Sequence, residues 1–155
     1  MTDAEKIAFK NKLKKWALDL IGQRIATANA AMNQAQEAAN SEEKSSAGDK
    51  YETGRAMGHL QKEMHARQLA ESMKELAALQ AISIEQLCQE GRSGVYLEGG
   101  EISFFISAGL GKQVIEGRTI LFLSPHAPLA KLLQGKKTGD EILFNNLPIK
   151  IREVF

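Results

Sequence analysis

Four carboxylates fall close together in this sequence, Glu42, Glu43, Asp49 and Glu52. They lie in the polar stretch Asn-Ser-Glu-Glu-Lys-Ser-Ser-Ala-Gly-Asp-Lys-Tyr-Glu-Thr from Asn40 to Thr53. Asp49 and Glu52 stand three apart, the spacing at which an N-cap residue and an acid one turn later satisfy the free N–H groups of a helix start. Glu42 and Glu43 read either as solvated acids at a helix end or as oxygen donors for a functional contact. Lys44, Lys50 and Arg55 flank the stretch and could contact nucleic-acid phosphates, or simply form a solvated charged face. Tyr51 could stack on a base, although packing beneath a turn is the simpler use of it. His59, His65 and His126 lack metal-site spacing, since the first two fall on different helical faces.

Something must hold these groups in place, and the flanking sequence is built to do so. It is rich in Ala, Glu, Lys, Gln and Leu, the best helix formers, and all three prolines (Pro125, Pro128, Pro148) come much later. Phe9, Leu13, Trp16 and Leu20 recur at helical steps, and Ile21, Ile25, Ala28, Met32, Ala35 and Ala39 continue the stripe. A second stripe runs through Met57, Leu60, Met64, Leu69, Met73, Leu76 and Leu79. One amphipathic helix cannot bury its own stripe, so two of matched length joined by a short polar link should pack antiparallel. A helix over residues 4–40 would reach about 55 Å. Gly48 and the adjacent serines argue against one uninterrupted helix through the polar stretch. Alanines approach this tip from one side and Gly54, Ala56 and Gly58 from the other, which predicts a narrow hairpin end.

The second half changes character. Ser83-Ile-Glu-Gln resembles a capping box and predicts a short helix to about Gln89, with Gly91 to Gly94 as a linker. Strands follow at Val95-Tyr-Leu, Ile102 to Ser107, Gln113-Val-Ile and Thr119 to Leu123, with turns at Glu98-Gly-Gly and Glu116-Gly-Arg. A short helix spans Ala127 to Leu133 and stops at Gly135. Glu141 to Phe144 and Ile149 to Val154 are expected to pair as a hairpin through Asn-Asn-Leu-Pro. The expected fold is therefore α+β. Residues 1–82 form an antiparallel coiled-coil hairpin with its tip near 41–52, residues 83–94 a short helix and linker, and residues 95–155 a small sheet domain.

Composition narrows the function. Charged residues make up 25% of the 155 and nearly cancel, leaving a net charge of +1, so any electrostatic role must be local. The single cysteine, Cys88, excludes an internal disulfide framework and reads as a small buried apolar group. The first residues are charged with no long apolar run, and no segment approaches a membrane span, so a cytoplasmic chain is expected.

Ser124-Pro-His-Ala-Pro-Leu-Ala-Lys-Leu-Leu-Gln-Gly-Lys-Lys-Thr-Gly-Asp-Glu resembles the C-terminal signature of the bacterial Gre transcript cleavage and elongation factors. The matching positions are Ser124, Pro125, Leu129, Ala130, Leu133, Gly135, Lys136, Lys137, Gly139, Asp140 and Glu141. The resemblance implies a coiled-coil hairpin followed by an FKBP-like domain, with the signature region docking on RNA polymerase. It implies further that the hairpin enters the polymerase secondary channel, near the nascent RNA of the elongation complex. There, two tip acids help hold a second Mg²⁺ that promotes hydrolysis of backtracked RNA. Mg²⁺ is well served by one or two carboxylates with water and phosphate oxygens. On this reading the chain is an accessory factor and not an enzyme. It has no catalytic residues of its own and no stably held cofactor, shares Mg²⁺ with the polymerase through Glu42, Glu43, Asp49 and Glu52, and acts as a monomer. The family tip reads Asp-Leu-x-Glu-Asn-Ala-Glu-Tyr. Aligning Tyr51 with its tyrosine puts Lys44 and Ala47 where the two acids stand. Two other readings stay open: a secondary-channel regulator that does not stimulate cleavage, and a coiled-coil adaptor or dimeric scaffold.

Overall fold

The computed structural model describes residues 1–43 and 48–155, with the side chains at 42, 43 and 48–51 outside the described set. Two long helices come first, α1 over Asp3–Glu43 and α2 over Gly48–Gln80. α1 opens with a reciprocal capping box: the Thr2 N–H donates to Glu5 Oε2 at 2.7 Å and the Glu5 N–H to Thr2 Oγ1 at 3.2 Å. The bond from the Thr2 backbone holds the Glu5 carboxyl below its usual pKa. Among the described residues no helix is long and apolar enough to cross a membrane.

The chain divides into two compact units, Leu20–Lys74 and Met1–Asp19 with Glu75–Phe155. In the first, the helices run antiparallel: Gln36 meets Lys62, and Ala39 meets Gly58. The buried positions on α1 are Ile21, Ala28, Ala35 and Ala39, and on α2 Gly58 and Ser72. The phase of α2 differs in part from the sequence expectation. Met57, Leu60, Met64 and Met73 face solvent, Leu60 at 67% exposure, while Gly58 and Ser72 are buried; Leu69 and Leu76 are half-buried and Leu79 fully buried, as the expected stripe has them. Size is the physical reason. A Cβ on Gly58 would lie 3.2 Å from the Ala39 Cβ, and only small residues allow the backbones so close.

In the second unit a five-stranded sheet has the order β3-β4-β2-β1-β7. Its strands are β1 (Tyr96–Glu98), β2 (Ile102–Ile106), β3 (Gly111–Ile115), β4 (Arg118–Leu123) and β7 (Glu153–Val154), and only β2 with β4 is parallel. Side chains alternate between its faces. One face carries Tyr96 and Phe105 and receives Phe9 from α1, with ring centroids 5.1 Å apart for Phe9–Tyr96 and 5.0 Å for Tyr96–Phe155. The other carries Leu97, Phe104 and Ile106, which are buried with Ala130 and Leu133 of α3 (Pro128–Leu133) and with Ile142 and Ile149 of the β5–β6 hairpin (Glu141–Phe144 and Leu147–Lys150). Cys88 packs against this core, and Arg92 Nε donates to its sulfur at 3.1 Å.

Three local expectations change. Trp16 leaves the helix stripe to Ala17, stands 43% exposed, and its Nε1 reaches Gln113 Oε1 at 3.4 Å. Residues 83–89 form no helix: Lys14 Nζ takes the Ile82 carbonyl and Lys10 Nζ the Gln86 carbonyl, while Ile82 and Ile84 are buried in an irregular run. The last predicted strand is two strands. Asn145 and Asn146, at φ 51° and 63°, turn β5 into β6 as a primed hairpin turn, whereas β7 leaves that hairpin to pair with β1. The Ile151 N–H to the Asp140 carbonyl and the Arg152 N–H to the Glu98 carbonyl redirect the chain between them.

Candidate functional site

The acids singled out by sequence lie at the facing ends of two antiparallel helices. Glu42 and Glu43 occupy the last turn of α1, which contains no basic residue. A helix C-terminus carries partial negative charge, so the last turn is one in which acids are ordinarily disfavoured. Stability alone would favour lysine or arginine at these positions. Asp49 falls in the first turn of α2, where the partial charge is positive and acids are favoured, and Glu52 is the helix's fifth residue. The helix starts at Gly48, which puts Asp49 within the first turn, two positions past where a capping reading places it. Glu52 and Arg55 are exposed. Lys44 lies outside the described residues, as do the side chains of Glu42, Glu43, Asp49, Lys50 and Tyr51.

Behind these positions a polar chain fixes the pairing of the helices. Lys62 Nζ donates to Gln36 Oε1 at 2.8 Å, and Gln36 Nε2 donates to Asn40 Oδ1 at 3.0 Å. Together with the Ala39–Gly58 approach, this sets which residues of α2 stand opposite the end of α1. Among the described residues no three metal-ligating side chains stand together; His65 Nδ1 lies 3.3 Å from Gln68 Oε1.

The signature segment has a local structural logic. The Ser124 hydroxyl accepts from the His126 N–H at 3.3 Å, Pro128 opens α3, and Ala130 and Leu133 are buried beneath it. Pro125 and Leu129 are half-buried. Gly135 takes φ 77° and donates its N–H to the Gly91 carbonyl, while the Gly91 N–H donates to the Lys136 carbonyl. Asp140 Oδ2 accepts from the Lys137 N–H at 2.8 Å, and Gly139, at φ 96°, donates to the Ile151 carbonyl. The segment read as a linker, Gly91 to Gly94, is thus tied into the sheet domain by these bonds. Lys137 remains exposed and Lys136 half-exposed, available to a partner.

Two features escaped the sequence reading. Lys10 is fully buried in α1, where burial pushes its pKa below the usual lysine value. Lys112, Lys150 and Arg152 gather around one cleft of the sheet domain. The first could have been flagged by its place one residue after Phe9 in the stripe. The second comes from strands far apart in sequence, so no spacing announced it. No family model, curated protein or solved structure matches this chain.

Proposed function

We propose that this chain binds bacterial RNA polymerase and regulates elongation through the secondary channel. On this reading the helix pair presents its end acids to a Mg²⁺ shared with the polymerase. The sheet domain is FKBP-like and docks through the face carrying Pro125, Leu129, Lys136 and Lys137. One observation carries the reading. Glu42 and Glu43 sit against the helix dipole at the end of a hairpin held in register, in a chain that also bears the Ser124 to Glu141 signature. Acids are disfavoured in a helix's last turn, and a shared cation accounts for them on this reading. On this reading Lys44, Lys50 and Arg55 meet RNA phosphates.

A second reading has its own support: with Lys44 and Ala47 where the Gre tip has acids, the chain occupies the channel without stimulating cleavage. Two measurements separate these. The purified protein co-elutes with bacterial RNA polymerase under either reading. Stimulated cleavage in backtracked complexes, lost when Glu42, Glu43, Asp49 and Glu52 become alanine, establishes the first. Co-elution with no stimulation over a range of Mg²⁺ establishes the second. A pull-down free of polymerase subunits, with a dimeric mass in solution, overturns both in favour of an adaptor.

A further inference from the structure

Apolar surface and positive charge converge a second time, on the sheet face shared with α3. By strand alternation and register, Lys112 and Val114 of β3, Thr119 and Leu121 of β4, and Ile102 of β2 lie on the face that carries Phe104. The β5–β6 hairpin bounds a cleft of about 640 Å³ against part of this face. Ile102, Phe144 and Leu147 give it an apolar lining, and Leu147 is 66% exposed. Lys112, Lys150 and Arg152 stand around it with one acid, Glu101. Among the described residues no carboxylate makes an ion pair with any of the three cations.

The site is partly pre-set by the turn between β1 and β2. A Cβ on Gly99 would lie 2.4 Å from the Ile102 carbonyl oxygen and 2.7 Å from Ile149 Cγ2. A Cβ on Gly100, at φ 89°, would lie 2.9 Å from Arg152 Cζ and 3.0 Å from its Nη2. The guanidinium therefore rests over bare Gly100 backbone, which restricts its freedom before any ligand arrives. A hydrocarbon alone would leave the three cations without a counter-charge, and an inorganic anion alone would leave the apolar lining wet.

We propose that this cleft binds a small anion with an apolar body, an aromatic or branched aliphatic carboxylate or phosphomonoester. The volume falls in the range of roughly 300–1,000 Å³ typical of small-molecule sites. The site is separate from the helix-end acids and does not depend on the polymerase reading.

The test uses naphthalene-2-carboxylate and its uncharged amide as probes, titrated into the full chain and followed by amide chemical shifts. The carboxylate should bind saturably, with shifts centred on Gly99 to Ile102, Thr119 and Phe144 to Arg152. The amide should bind about tenfold more weakly, because charge-assisted hydrogen bonds are lost. The combined variant Lys112→Glu, Lys150→Glu and Arg152→Glu, all exposed positions, should lower carboxylate affinity by at least about tenfold while keeping the dispersed spectrum. Raising salt with the unaltered chain checks the charge contribution without any substitution, and affinity should fall. Equal binding of carboxylate and amide overturns the proposal. So does a shift map centred on Met57, Leu60 and Met64, or binding of an acidic peptide with no response to the carboxylate.

Discussion

Among the described residues Lys10 is the one charged side chain that is fully buried. Its stem is enclosed, and its ammonium donates to one carbonyl, that of Gln86, at 3.3 Å. Desolvation pushes its pKa down, with Arg92 adding to the effect and Cys88 opposing it. The folded chain thus releases this proton at lower pH than the unfolded chain does. Stability should rise as pH climbs from the folded pKa toward the unfolded value of about 10.4. Urea unfolding as pH is raised toward about 10.4 should show that rise, and Lys10→Met should flatten it; equal slopes in the two proteins would contradict the argument. Tyr96 has the opposite sign, since burial raises its pKa, but its effect begins only near pH 10 and above. Its hydroxyl is buried with no partner in hydrogen-bonding geometry, although Ser103 and Arg118 lie near enough to offset part of the shift. Tyr96→Phe removes that unsatisfied group and keeps the ring contacts with Phe9 and Phe155. It should be neutral or stabilising by up to about 1 kcal/mol in thermal unfolding, and a loss above that would reveal a hidden bond.

At the scale of elements, the helices were legible because propensity and period agreed over dozens of residues. The phase of α2 was legible at Leu69, Leu76 and Leu79 and not nearer its start. A reading that turns the largest apolar residues inward selects Met57, Leu60 and Met64, whereas the close approach at Ala39 selects Gly58. Two glycine substitutions separate the causes. Gly22 has nothing within 4 Å of where a Cβ would stand, so Gly22→Ala should raise stability by about 0.5–1 kcal/mol through helix propensity alone. Gly58→Leu gains similar propensity yet must push Ala39 away, so it should destabilise the helix pair. Hydrogen exchange over residues 28–66 should quicken in Gly58→Leu and slow in Gly22→Ala. The strands were legible from β-branched and aromatic runs, and the Asn145-Asn146 turn from its chemistry. The irregular run after Ile82 was not, because long-range lysine bonds to the Ile82 and Gln86 carbonyls outweigh a local capping signal. The end acids were legible as a cluster, and their relation to the helix dipole came only with the helix limits.

At the scale of the whole chain, the sheet domain is closed by residues from both ends. Phe9 and Phe155 meet with ring centroids 6.4 Å apart, and Lys6 pairs with Glu153 at 3.1 Å. The backbone of Tyr96 exchanges two hydrogen bonds with that of Phe155, at 2.7 and 3.0 Å. Deleting Glu153–Phe155 should therefore abolish cooperative unfolding of the sheet domain while leaving the helical circular dichroism of Leu20–Lys74 largely in place. Retention of the native sheet signals would show that β1 and α1 do not need them.

That pairing of β1 with β7 also orders events in time. The helix pair is made of near neighbours and can form while the chain is still being synthesised. β1 and β2 emerge long before the residues that cover them, and β1 keeps an open edge until Glu153 and Val154 arrive. For that interval Leu97 and Phe104 have an unfinished core and the edge is free to pair wrongly. The hazard lasts until Glu153 and Val154 pair with β1.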